Sequence, residues 1–137
     1  GRPSVILDVA HNPHAAATLA QNLDNMGFHP YTFAVFGAMA DKDIAGVLAQ
    51  VKDKIDHWCL TDLPMPRAAT ANALAGKLQE AGISDNSAAG AECSVRCFAN
   101  PAAAYADARK RAGENDRIVV FGSFLTVAGV MAARSTG

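Results

Sequence analysis

Short apolar runs alternate with longer stretches of helical periodicity along most of this chain. The first run, at 5–9, is rich in β-branched residues, and similar runs follow at 32–36, 57–61, 94–99 and 117–121. Runs of this length bounded by turn residues are typical of buried strands. We therefore predict five strands, of which the one at 94–99 has the weakest pattern.

Between these runs, apolar residues recur at the three- and four-residue spacing of a helix that buries one face. The clearest case follows the second strand and includes Ile44, Val47, Leu48, Val51 and Ile55. We predict further helices at 13–26 before Gly27, from about 70 to Gly82, after the pair Asn100 and Pro101, and from 122–123 to 133.

Strands that alternate with helices of ~10 to 14 residues form right-handed βαβ units with parallel strands. The fold class is therefore α/β and Rossmann-like, with a mainly parallel sheet covered by helices on both faces. One sequence does not reveal the strand order, and an additional antiparallel edge strand in the polar stretch 84–92 stays open.

The composition is that of one ordinary domain, and we treat 1–137 as a single unit. The chain has 137 residues, 50% of them hydrophobic, and its net charge of −1 comes with scattered cations, which disfavours nucleic acid as a partner. Three cysteines without a CxxC pair predict reduced thiols and a cytoplasmic protein without a metal site. No apolar run approaches the ~20 residues of a membrane span, so no membrane partner is expected.

The chain enters its first strand almost at once, as a domain of a larger protein would after a linker. It has neither a GxGxxG turn after this strand nor a GxxxxGK[ST] loop. We therefore expect that it does not contain a complete ATP site by itself.

Ligands of open parallel sheets bind beyond the carboxyl ends of the strands, and three segments there carry chemistry: 8–13, 37–43 and 122–129. Asp8 follows the first strand, where its carboxylate can accept hydrogen bonds from ribose hydroxyls or cap the turn. His11 lies just before a helix, where an imidazole can meet a phosphate. A solvated or packed histidine is the alternative there.

Other residues in these segments have structural explanations beside the functional ones. Asn12 and Pro13 suit the first positions of a helix, and His14 is expected on the surface. Asp41 or Asp43 would cap the helix that begins at Ile44, which leaves Lys42 as a phosphate partner or a solvated cation.

After the last strand, Ser123 and the backbone N–H groups around Gly122 form a candidate anion site, or Ser123 is the helix cap alone. Arg67, in a proline-rich loop, is a weak candidate at the same edge.

Four stretches together carry a resemblance: DVAHNPHAA, VFGAMADKDIAGVL, LPMPRAATANALA and VVFGSFLTVAGVM. In this order they resemble the C-terminal domain of folylpolyglutamate synthases and dihydrofolate synthases, in the Mur ligase superfamily. The resemblance extends from Val5 to about Met131 and is most specific at D-x-A-H-N-P.

This resemblance implies an ATP-dependent ligase that phosphorylates the carboxylate of dihydropteroate or of a folate. The ligase then joins this carboxylate to the amine of L-glutamate. It implies that Asp8 holds the ATP ribose, that His11 approaches the phosphates or the acyl phosphate, and that Ser123 binds glutamate. It implies less specifically that Lys42 stabilises the phosphates or the reacting centre. ATP and Mg²⁺ would be held mainly by the N-terminal ATPase domain of the same polypeptide. The whole protein would be a monomer. The isolated domain would be inactive.

Two other functions stay open. A receiver domain of the flavodoxin-like type would use Asp8 and Asp62, although glycine and serine stand after the last strand where a receiver needs lysine. A non-catalytic nucleotide-binding regulatory domain is the second alternative.

Overall fold

The structure, a computed structural model, describes residues 2–85 and 93–136. Its strands are β1 (Ser4–Leu7), β2 (Thr32–Phe36), β3 (His57–Thr61), β4 (Ser94–Phe98) and β5 (Arg117–Phe121). Its α-helices are α1 (Pro13–Asn25), α2 (Ile44–Val51), α3 (Ala71–Glu80), α4 (Pro101–Arg111) and α5 (Phe124–Thr136). The α/β alternation expected from the sequence is confirmed.

The five strands form one parallel sheet in the order β1-β5-β2-β3-β4. The last strand in sequence therefore lies between the first and the second. The polar stretch in which an extra edge strand was left open falls mostly outside the described residues.

Each face of the sheet has its own apolar core, because side chains alternate along a strand. On one face, Phe36, Trp58 and Phe121 pack under α1, α2 and α3. On the other, Phe33 and Val120 pack under α4 and α5. The last residues of β2, β3 and β5 are fully buried, whereas Leu7 at the end of β1 is partly buried.

The predicted boundaries that differ most from the structure are three, and the start of β1, the end of β4 and the end of α1 each differ by one residue. β1 ends at Leu7 rather than at residue 9, because the Asp8 carboxylate accepts a hydrogen bond from the Ala10 N–H at 2.8 Å and turns the chain. α2 ends at Val51 and continues only as a 3₁₀ turn at Lys52–Lys54, after which Ile55 is already extended. α5 runs to Thr136 rather than to residue 133.

Among the described residues, no helix combines the length and the apolar character that a membrane span requires.

Cys59 lies in the middle of β3, beneath an ion pair between Asp107 and Arg111 of α4. The Arg111 guanidinium is 2.8 Å from the Asp107 carboxylate and 3.4 Å from the Cys59 sulfur. Burial raises the pKa of the Cys59 thiol from 9.0 to about 11, and Arg111 opposes the effect only in part.

This shift predicts a loss of stability at high pH. Below pH 9 the thiol is protonated in both folded and unfolded chains, so its contribution is complete. As the pH rises from about 9 to about 11 only the unfolded chain ionises, and the free energy of unfolding falls by roughly 1.4 kcal/mol per pH unit. Urea unfolding of the protein and of Cys59→Ala across this range measures the difference. Parallel curves for the two proteins would contradict the shift.

Candidate functional site

The strand order brings together the three segments that contain the candidate binding residues. All five strands point the same way, so their carboxyl ends share one edge, and β5 lies between β1 and β2. The segments 8–13, 37–43 and 122–129 leave these three adjacent strands. The sequence placed them at one edge, and the order makes them neighbours.

Asp8 is half-buried at the end of β1, where its N–H donates to the Val120 carbonyl of β5 at 2.9 Å. One carboxylate oxygen, Oδ1, accepts the Ala10 N–H that makes the turn. In the described residues, Oδ2 has no hydrogen-bond partner. Turn formation and ligand binding were alternatives from the sequence, and the geometry assigns one oxygen to the turn and leaves the other available.

His11 is exposed immediately before α1, and its Nδ1 lies 3.0 Å from the Val9 carbonyl. That contact makes Nδ1 the protonated donor, so Nε2 is the atom that can meet a ligand. Asn12 is the N-cap, since its side chain accepts the Ala15 N–H at 2.8 Å, and Pro13 is the first helical residue. The capping function expected for Asn12 and Pro13 is confirmed.

Lys42 lies between β2 and α2, in residues 37–43, which form the Lys42 segment. Its side chain is exposed. Of the two aspartates considered as caps, Asp43 is the one that accepts from the Gly46 N–H, at 2.9 Å. A side chain at Gly46 would collide with Pro13 of α1, so the N-termini of α1 and α2 are in contact. The positive ends of two helices therefore lie side by side near His11 and Lys42.

The same segment is joined to the proline-rich loop after β3. Ala40 donates its N–H to the Arg67 carbonyl at 2.8 Å, and Ala69 donates to the Ala38 carbonyl at 2.9 Å. Arg67 is exposed. The structure thus places the Arg67 loop at the predicted edge and directly beside the Lys42 segment, a contact that the sequence did not predict.

Ser123 is 8% exposed and caps α5, with its hydroxyl oxygen accepting the Leu125 N–H at 3.1 Å. The expectation of free N–H groups around Gly122 is wrong for Gly122 itself, because its N–H donates to the Ala10 carbonyl at 2.9 Å. That bond ties residues 122–129 after β5 (the β5 segment) to residues 8–13 after β1 (the β1 segment). The Ser123 hydroxyl hydrogen remains available for a ligand.

Thr126 is a residue at this edge that sequence reasoning missed. It is fully buried in the first turn of α5, and its hydroxyl donates to the Gly37 carbonyl at 2.9 Å. Its partner is 89 residues away in the chain. A threonine in an apolar helix gave no sign of this contact.

The receiver alternative does not fit the strand order. Asp62 follows β3, and two strands, β5 and β2, separate β3 from β1 and Asp8. Three inter-strand intervals amount to roughly 14 Å, too far for two carboxylates to share one site. The Asp62 carboxylate also accepts the Ala71 N–H at 2.6 Å, at the start of α3.

The side chains that could bind a metal ion are dispersed in the described part of the chain. In the described ranges, no group of three or more His, Cys, Asp or Glu side chains is placed to hold a metal ion.

A groove of about 620 Å³ lies away from the carboxyl edge, near Arg2, Tyr105 and Arg134 at the amino end of β1. The carboxyl edge itself presents exposed side chains, among them His11, Lys42 and Phe124.

Comparison with protein families matches residues 1–124 to the family described as Mur ligase, glutamate ligase domain. The dihydrofolate synthase/folylpolyglutamate synthase of Escherichia coli K12 is 40% identical over 129 residues, which are 94% of this chain and 27% of that protein. The same enzyme from Buchnera aphidicola of Schizaphis graminum is 37% identical over 132 residues, 96% of this chain and 29% of that protein.

Solved structures of the same kind of enzyme also resemble this chain over most of its length. E. coli FolC in complex with DHPP and ADP superposes with a TM-score of 0.82 at 38% identity, covering 96% of this chain and 28% of that chain. A bifunctional folylpolyglutamate synthase/dihydrofolate synthase with Mn, AMPPNP and L-glutamate bound gives 0.82 at 40% identity, covering 97% and 29%. The chain spans less than a third of the length of these relatives.

Proposed function

Because this chain belongs to the Mur ligase family, as one of its glutamate ligase domains, we propose that it is the C-terminal domain of an ATP-dependent ligase that adds L-glutamate to dihydropteroate or to folates. In this proposal residues 1–137 are one domain, and an N-terminal ATPase domain of the same monomeric polypeptide faces its carboxyl edge. The observation that carries the proposal is the position of β5 between β1 and β2, which makes neighbours of Asp8, Ser123 and the Lys42 segment.

Asp8 binds the ribose of ATP in this proposal. Its Oδ1 is held by the Ala10 N–H, so the carboxylate is fixed in orientation before the nucleotide arrives. Oδ2 then accepts from a ribose hydroxyl, and a charged acceptor makes the stronger class of hydrogen bond.

His11 and Lys42 face the phosphates and the acyl phosphate. The Val9 carbonyl fixes the His11 ring through Nδ1, and Nε2 approaches the phosphoryl oxygens. Lys42 adds a positive charge from the adjacent helix start, where the dipoles of α1 and α2 also favour anions. Preorganised positive charge of this kind stabilises the charge that develops during phosphoryl and acyl transfer.

Ser123 binds the incoming glutamate. Its oxygen is held by the Leu125 N–H, so its hydrogen can be donated to a glutamate carboxylate at the positive end of α5. The glutamate amine then attacks the acyl phosphate, the amine loses a proton, and phosphate leaves to give the amide.

Mg²⁺ would neutralise phosphate charge in such a ligase. Among the described residues, no group of three or more His, Cys, Asp or Glu side chains is placed to hold a metal centre. In the proposal both Mg²⁺ and most of the ATP contacts belong to the N-terminal domain.

The test uses the full-length protein that contains this domain, with steady-state kinetics in ATP and in glutamate. Asp8→Ala should raise the KM for ATP by roughly 10- to 100-fold, because a charge-assisted hydrogen bond of about 1.5–3 kcal/mol is lost. Ser123→Ala should raise the KM for glutamate by roughly tenfold. Each substitution should leave the other KM within about twofold.

Matched controls are Asp53→Ala and Ser135→Ala, which remove the same groups from exposed positions away from the edge. Exchanged effects of the two site variants would show the assignments to be wrong. Glutamate-dependent phosphate release by the isolated domain would contradict its dependence on a second domain. A full-length protein that binds ATP and lacks this turnover would favour the regulatory alternative.

A further inference from the structure

One buried hydrogen bond connects two of the segments to which the proposed function assigns ligands. Thr126 in α5 donates its hydroxyl to the Gly37 carbonyl at the start of the Lys42 segment, at 2.9 Å. Both ends are buried, and Thr126 is 0% exposed. A threonine hydroxyl in a helix can bond to the carbonyl three or four residues before it. Here the donor is used across the sheet edge instead.

The two segments also lie backbone to backbone. The Gly37 N–H donates to the Phe121 carbonyl at 3.4 Å. A Cβ at Gly122 would overlap the Gly37 carbonyl oxygen, and a Cβ at Gly37 would lie 2.9 Å from the Thr126 hydroxyl. The contact is tightly packed, so the Thr126 bond and the Gly37–Phe121 backbone bond together hold the two segments with little freedom to adjust.

The hydrogen bonds that fix Asp8 are separate from this one. The β1 segment is attached to β5 through the Gly122 N–H to the Ala10 carbonyl and the Asp8 N–H to the Val120 carbonyl, both at 2.9 Å. The Thr126 hydroxyl takes part in neither. Loss of this hydroxyl should therefore change the distance between the Lys42 segment and the β5 segment. It should leave the nucleotide contact of Asp8 in place.

We propose that Thr126 is a positioning residue that holds the Lys42 segment at a fixed distance from Ser123, and so aligns bound glutamate with the acyl phosphate. The proposal rests on the proposed function, in which Ser123 binds glutamate and Lys42 faces the reacting centre. Thr126 itself touches neither ligand. Its effect is exerted through the Gly37 carbonyl, and small displacements of a reacting group have large effects on rate.

The experiment compares variants of the full-length protein at saturating folate substrate. Thr126→Val keeps the shape of the side chain and removes the donor, so the Gly37 carbonyl is left buried without its partner. The expected result is a KM for glutamate raised about tenfold and a kcat lowered about tenfold, with the KM for ATP within about twofold. Thr126→Ser keeps the donor and should restore both values to within about threefold.

Thr18→Val is the matched control, because it removes a threonine hydroxyl from an exposed position in α1 and should change none of these values. If Thr126→Val does not fold, Thr126→Ser and Thr126→Ala carry the same comparison, since they differ only in the hydroxyl group.

Two results would overturn the proposal: an unchanged KM for glutamate in the variant without the donor, or equal losses in variants with and without it. The unsubstituted protein separates this failure from failure of the proposed function. If it shows no glutamate-dependent formation of ADP, the ligase assignment fails. If it turns over normally and Thr126→Val does the same, only the positioning role fails.

Discussion

Replacing Gly122 by alanine is expected to lower the free energy of unfolding by about 4 kcal/mol. Gly122 has φ of +108°, a backbone conformation that side chains rarely adopt. Its new Cβ would overlap the Gly37 carbonyl oxygen and lie 2.7 Å from Cε1 of Phe36, a ring that is fully buried. Neither neighbour can yield, because one is backbone and the other is enclosed by the core.

Urea unfolding followed by the fluorescence of Trp58, the only tryptophan and fully buried, measures this loss. Gly76→Ala is the matched control. Gly76 is exposed in α3, and its added Cβ would meet no atom within 4 Å, so helix propensity should raise stability by up to about 1 kcal/mol. A Gly122→Ala protein as stable as the unsubstituted one would show that the β5 segment can move away from Gly37.

Arg117→Met is expected to lower the free energy of unfolding by about 2–4 kcal/mol. Arg117 begins β5 and is 7% exposed. Its guanidinium donates to the Leu23 carbonyl at 2.6 Å and, through Nε, to the Thr32 hydroxyl at 2.7 Å. α1 has no basic residue in its last turn, so a cation from the sheet compensates the negative end of that helix. Methionine would fill the space and leave both acceptors without their donor.

Burial lowers the pKa of Arg117, and Asp24 and Asp56 oppose that effect. The side chain stays charged at neutral pH because arginine titrates so far above it. Amide hydrogen exchange should therefore show the last turn of α1 opening more readily in Arg117→Met.

The control is Arg134→Met, which removes an exposed arginine from the last turn of α5. It should change the free energy of unfolding by less than about 0.5 kcal/mol. Equal stabilities for the two variants would mean that methionine packing offsets the lost hydrogen bonds.

Much of the local structure could be predicted because local chemistry determines it. β2, β3 and β5 have the predicted bounds, since turn residues limit each buried run. The caps Asn12 and Asn100 were recognisable because proline follows each of them. Boundaries that depend on one side-chain contact, such as the end of β1 at the Asp8 turn, were predicted less accurately.

The strand order could not be predicted, because parallel strands buried on both faces carry the same apolar pattern. The sequence placed Asp8, His11, Lys42 and Ser123 at one edge through a general rule for open sheets. Which of them are neighbours depends on β5 lying between β1 and β2. Arg117 shows the same limit, since a charge at the first position of a strand is indistinguishable in sequence from one that faces water.

The position of β5 also determines when this domain can fold. β1 pairs only with β5 in the described sheet, and the register joins Ser4 to Arg117, so the chain must close a loop of more than a hundred residues before its first strand has a partner. Sheets with such high contact order fold slowly, because loop entropy is lost before pairing compensates it. During synthesis, β1 stays an unpaired edge until β5 has left the ribosome. In that interval the unpaired backbone groups of the first strand can pair with another chain, so aggregation competes with folding at this step.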